Sequence, residues 1–142
     1  MTSTPAGSAA VAQDFLHALD RRDWNRVQAL CAPGYVHHAP RVPAAGVDAY
    51  IATAQRMFTA FPDMTATIEE LVEAGSRVMI RYVTRGTHQA PFYGLPATGR
   101  PVSFPVLGLL HVKDGKLTEG WFEFDTGAIT GQLAPPGHAP AT

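Results

Sequence analysis

Apolar residues change their spacing once along this chain, near residue 65, dividing it into a helical first half and a stranded second half. Val11, Phe15, Ala18 and Leu19 recur at helical intervals and predict an amphipathic helix over about residues 8–21. Asp23 is placed to cap a second short helix carrying Trp24, Val27 and Leu30, with Pro33-Gly34 as its end. Tyr35–Ala39 reads as a short strand, and residues 40–46 as a loop. A third helix is predicted over about 47–60, where Val47, Ile51, Ala54, Phe58 and Phe61 share a stripe and Pro62 stops propagation.

Beyond residue 65 the period is two, and strands are predicted at about 65–73, 77–88, 100–112 and 116–125. Ala74-Gly75-Ser76, a longer loop at 89–99 and Asp114-Gly115 connect them. A last helical turn is expected at 127–133, capped by Asp125 or Thr126. The tail 134–142 has three prolines and a glycine and is expected to be disordered. Helices followed by a strand run indicate one α+β domain over 1–133, with helices covering one face of an antiparallel sheet. In 77–88 the residues Val78, Ile80, Tyr82 and Thr84 form the less polar side, opposite Arg77, Arg81 and Arg85. Tyr82, Thr84 and His88 are therefore expected to face the helices.

Composition narrows the function classes. The 142 residues carry a formal charge of −1 without a block of like charge, so the basic footprint of nucleic-acid binding is missing. No apolar run approaches the ~20 residues of a membrane span, and Met1–Gly7 lacks the order of a signal peptide. Cys31 is the lone cysteine, which excludes an internal disulfide and fits a reducing, cytoplasmic setting. No metal is expected: His37 and His38 point apart on a strand, and no helix carries a His-x-x-x-His pair. Cys31 has no histidine linked to it, and Gly94–Gly99 lacks the strand-loop-helix setting of a phosphate loop.

An ordered set of landmarks runs from Phe61 to Leu133. It comprises Phe61-Pro62-Asp63, Gly86-Thr87-His88, Gly94-Leu95-Pro96-Ala97-Thr98-Gly99, Asp114-Gly115-Lys116-Leu117, Glu119 with Trp121, Asp125, and Gln132-Leu133. In this order and spacing the chain resembles the SnoaL-like polyketide cyclases of the nuclear transport factor 2-like superfamily. The N-terminal helices and His38-Ala39-Pro40 extend the likeness to nearly the whole chain. The resemblance implies a cone-shaped α+β fold with a deep pocket between sheet and helices, a homodimer, and ring closure of a polyketide by aldol chemistry without metal or cofactor. Superfamily relatives also open epoxides, isomerise ketosteroids, hydroxylate polyketides, catalyse cycloadditions or only bind ligands.

In the aldol cyclases the acid/base aspartate stands seven residues past the turn glycine; counting from Gly115 gives Phe122. The position of its companion histidine falls on Gly108. Neither ionisable group is present. Reading Val112–Lys116 as a three-residue hairpin loop pairs Val106 with Phe122 and Gly108 with Gly120. One face then carries Val106, Gly108, Leu110, Thr118, Gly120, Phe122 and Phe124, an almost wholly apolar pocket wall with room for something flat beside its glycines. The other carries Leu107, Leu109, His111, Glu119, Trp121, Glu123 and Asp125, and its apolar members are the expected dimer surface.

His38 is expected to face the pocket as a proton carrier or hydrogen-bond donor, against the plainer reading of a structural histidine. His37 would then point away, unless a twist begins the strand. His88 is expected near Ser103 and Asp125, where a His88–Asp125 pair would raise the imidazole's pKa; otherwise both pin the loop and cap the terminal turn. Tyr82 is a candidate donor to a substrate carbonyl, against the commoner core role of such a tyrosine. Phe15, Tyr35, His37 as the weaker of the two histidines, Gln55, Phe58 and Tyr93 complete the candidate pocket set.

With Phe122 at the aldol position, a ring closure controlled by shape, such as a cycloaddition of a hydrophobic polyketide-like chain, is the leading expectation. The alternatives are an acid/base isomerase, hydratase or epoxide hydrolase using His88 with Asp125, and a non-catalytic binding protein.

Overall fold

The computed structural model describes residues 7–133; the expected tail at 134–142 lies outside the described residues. Helices α1 (Ser8–Asp20) and α2 (Trp24–Leu30) lead into strand β1 (Cys31–His38), and α3 (Val47–Ala60) follows. Strands β2 (Thr65–Ala74), β3 (Arg77–Thr87), β4 (Pro101–Lys113) and β5 (Lys116–Glu123) come next, and α4 (Thr126–Leu133) closes the order. The curved five-stranded sheet runs β1-β5-β4-β3-β2. Three of its pairings are antiparallel, but β1 lies parallel to β5, so the sheet is not antiparallel throughout.

Strict alternation in β3 and β4 makes the sheet one-sided. Val78, Ile80, Tyr82, Thr84 and Gly86 are buried, while Arg77, Arg81 and Arg85 between them are exposed. The buried face meets α1, where Ala12, Phe15, Leu16 and Ala18 lie inside at helical spacing. Asp23 caps α2 by accepting a hydrogen bond from Arg26 N–H at 3.1 Å. Asp125 accepts from Ala128 N–H at 3.1 Å and starts α4.

One turn and one bulge depart from the expected register. Asp114 and Gly115 have φ of 52° and 76° and connect Lys113 directly to Lys116, a two-residue hairpin loop in place of the expected three-residue one. A bulge follows, because Val112 pairs with Leu117 but His111 pairs with Glu119. Gly108 therefore faces Phe122, and Leu110 faces Gly120. The shorter loop and the bulge each move the partner by one residue. Together they restore the parity, so Phe122 stays on the inner face.

Arg22 ties the helices to the sheet. Held at φ 56°, it donates to the carbonyls of Asp20 at 2.8 Å, Met64 at 3.0 Å and Pro62 at 2.7 Å. Its guanidinium carbon sits 3.6 Å from the centre of the Phe58 ring.

Candidate functional site

A cavity of about 560 Å³ opens between the inner sheet face, α1, α3 and the 39–46 loop. That volume lies within the range of small-molecule sites. Phe104, Val106, Phe122 and Phe124 form its sheet wall, and Tyr50, Met57 and Phe58 face them from α3. Such aromatic burial is a strong source of affinity for an apolar guest.

Its most organised polar group is His37. In the parallel β1–β5 ladder His37 pairs with Gly120, which is buried, and His38 pairs with Trp121 on the outer face. Paired residues share a face, so His37 turns inward. Its ring lies 3.9 Å from that of Tyr50 and 4.9 Å from that of Phe122, close to parallel with both. The Tyr35 hydroxyl shares a hydrogen bond of 2.9 Å with His37 Nδ1. Burial, with a smaller contribution from His38, lowers the imidazole to about 4, so it is neutral at pH 7. Burial also pushes the Tyr35 and Tyr50 hydroxyls up and keeps them protonated.

The second polar region is at the other end of the inner face. Asp20, the last residue of α1, lines the cavity. Ala66 N–H donates to its carboxylate, at 3.1 Å to Oδ1 and 3.4 Å to Oδ2. Burial raises this carboxyl, against the Ala66 bond and the nearby charges of Arg22 and His17. Tyr82 and Thr84 line the same cavity, and burial together with Asp20 pushes the Tyr82 hydroxyl up.

Several sequence-based placements are corrected by this geometry. His38 lies on the outer face, stacked 5.0 Å from Trp121 and bonded at 2.7 Å to Glu119. His88 is fully buried but does not line the cavity; it sits between Phe61 and Phe92 under the 88–100 loop. Thr98 N–H donates to its Nδ1 at 3.2 Å and the Thr98 hydroxyl lies 2.9 Å away, which leaves the ring hydrogen on Nε2. That atom has no hydrogen-bond partner among the described residues. Asp125 is exposed and occupied as a helix cap, so the structure forms no His88–Asp125 pair.

Tyr82, His37, Phe58, Val106 and Phe122 do line the cavity. Phe15 and Tyr35 stand one layer behind it, Phe15 stacked at 6.0 Å on Tyr50 and Tyr35 touching it through His37. Gly108 and Leu110 lie beneath the Phe122 side of the wall, in the core. The flat space beside the glycines is filled by the protein's own rings: a Cβ at 108 would stand 3.2 Å from Phe122, and one at 120 would stand 2.8 Å from the Tyr35 hydroxyl. Gln55 is exposed, and Tyr93 is 56% exposed on the 89–99 loop, where Arg41 lies 5.9 Å from its ring. Thr118 is displaced by the bulge, and Leu117 takes the buried position.

Asp20 and Tyr50 were missing from the expected set. Tyr50 had a signal, since it lies three residues after Val47 and four before Ala54 on the apolar stripe of α3. Asp20 had none, because Asp20-Arg21-Arg22-Asp23 reads as a solvated charged turn. Cys31 is buried, and burial pushes its thiol up to about 12, which removes it as a nucleophile. Among the described residues, no three His, Cys, Asp or Glu side chains group as metal ligands, and no helix is long and apolar enough to cross a membrane.

The family model of SnoaL-like polyketide cyclases matches residues 9–133, and the chain belongs to that family. No curated protein sequence matches the chain. Among solved structures it is similar to wild-type IdmH, a candidate polyketide cyclase from Streptomyces antibioticus. The two share 31% identity over 89% of this chain and 97% of that one, with a TM-score of 0.81. A SnoaL-like candidate cyclase from Jannaschia sp. CCS1 superposes with a TM-score of 0.84 at 21% identity, covering 96% of this chain and 99% of that one. AclR, a candidate hydroxylase from Streptomyces galilaeus, gives 0.81 at 24% identity, covering 90% and 97%. The last two likenesses concern the fold alone.

Proposed function

We propose that this protein is a cofactor-independent cyclase that folds a hydrophobic, polyketide-like chain inside its cavity and closes a ring by controlling its shape. The observation that carries this reading is the Phe122 ring. It stands seven residues past Gly115, where the resemblance puts the family's acid/base aspartate, and its ring lies against the neutral His37 in the cavity wall. A carboxylate-driven aldol step has no carboxylate at that point. A closure that depends on bringing two ends of a chain together still has what it needs: an apolar mould and fixed orientation. His37 and Tyr82 are positioned to hydrogen-bond a carbonyl of the chain and polarise it.

The test is incubation of the protein with a linear chain bearing a conjugated diene and an enone, followed by chiral chromatography. Accelerated formation of one stereoisomer supports the reading. Recovery of unchanged chain from a tight complex favours a binding protein instead. The buried Cys31 fits a reducing compartment. The outer face, where Leu107 is 47% and Met79 40% exposed beside Trp121, is the surface through which two copies would pair, and size-exclusion chromatography reads that state.

A further inference from the structure

The polar end of the cavity carries a feature that neither the fold nor the shape-controlled closure explains. Asp20 is a carboxylate at the C-terminal end of α1, where the helix dipole already presents negative charge and disfavours another. Its structural task is to accept from Ala66 N–H, a task that the single amide oxygen of an asparagine also performs without a charge. The neighbouring Arg22 does not pair with the carboxylate: its three hydrogen bonds go to carbonyls, including that of Asp20 itself. The charge is thus kept on the cavity wall with no cation among the described residues bonded to it.

Next to it stands a hydroxyl with no partner among the described residues. Ala66 pairs with Thr84 and Ile68 with Tyr82, so Tyr82 is one strand repeat, roughly 7 Å, along β3 from the point that holds Asp20. Tyr82 lines the same cavity. Its hydroxyl makes no hydrogen bond to the described residues, and it is not among the sealed unpartnered atoms. It opens to the cavity as a donor, while Asp20 is an acceptor. An ammonium group suits this site less well than a neutral hydroxyl, because the Arg22 charge already stands near it.

We propose that Asp20 and Tyr82 form a two-point recognition site for a substrate carrying both a carbonyl and an acidic hydroxyl, a phenol or an enol. The carboxylate accepts from the hydroxyl, and Tyr82 donates to the carbonyl. This rests on the cavity being the polyketide site proposed above, and it specifies which end of the guest lies against α1.

The probes are 2-hydroxyanthraquinone and its methyl ether, measured by equilibrium dialysis at pH 6 against the full chain. Wild-type protein is expected to bind the phenol at least tenfold more tightly than the ether, the scale of one hydrogen bond to a charged group. Asp20→Asn keeps an oxygen for Ala66, and it should abolish that ratio with the ether's affinity unchanged. Tyr82→Phe should weaken both probes several-fold and keep the ratio. A wild-type ratio near one, which needs no variant to fold, overturns the inference and leaves the cyclase reading standing; so does a ratio that survives in Asp20→Asn. Failure of both probes to bind overturns the inference together with the reading of the cavity beneath it.

Discussion

The Tyr35 hydroxyl is held 2.9 Å from Nδ1 of His37, two residues further along the same strand, and Gly120 makes room for it. A Cβ at position 120 would stand 2.8 Å from that oxygen and 3.0 Å from the Phe122 ring. Both neighbours are buried rings with no free end to swing away. Gly120→Ala is therefore expected to destabilise the fold by roughly 1–3 kcal/mol, read as a lower denaturant midpoint with an unchanged slope. An unshifted midpoint would show that the rings are not packed as described.

Acid should unfold the protein through His37. Its ionisation lies at about 4 in the folded chain and near 6.5 when unfolded. Between those values the unfolded state binds the extra proton. Stability is thus complete above pH 6.5 and is lost as pH falls toward 4, by up to about 3 kcal/mol. In His37→Gln that share of the loss should disappear, which urea titrations at pH 7 and pH 4.5 would reveal. Equal acid sensitivity of the two proteins would contradict the burial of a neutral imidazole.

The elements were largely legible in the sequence because each half has one period, and the apolar stripe of α3 and the alternation of β3 leave little choice. The inward position of Phe122 was legible for a less secure reason. The loop length and the bulge at Thr118 each altered the expected register, and their effects on parity cancelled. The histidine pair was not legible. Facing on β1 depends on its parallel pairing with β5 and on the irregularity between Cys31 and Val36, neither of which leaves a local pattern. Asp20 was hidden because the sequence cannot tell a carboxylate at a solvated turn from one folded over the mouth of a strand.

The reversal of the histidines is directly testable. His38→Ala removes a third-exposed pair with Glu119, worth no more than about 1 kcal/mol, and should leave ring closure unchanged. His37→Ala empties the space between Tyr50 and Phe122 and should slow closure by on the order of tenfold, one hydrogen bond and one positioned ring. Steady-state rates of the two variants decide it, and the opposite ranking would return the site to His38.

Arg22 carries the joint between helix and sheet. Arg22→Met keeps much of the stem packing on Phe58 but loses three carbonyl acceptors. A cost of roughly 1–3 kcal/mol is expected, together with weaker ligand binding, because Asp20 and Phe58 both line the cavity next to it. Thermal unfolding with and without 2-methoxyanthraquinone measures both effects, and a variant as stable as wild type would dismiss this role.

The most direct trial of the whole account is the pH dependence of ring closure itself. His37 is neutral, and the tyrosines are protonated, across pH 6–9. If the cavity works by contour, wild-type protein should accelerate one stereoisomer at a rate that varies by no more than about twofold over that range. A bell-shaped or sigmoidal profile, or closure no faster than in buffer, would contradict it.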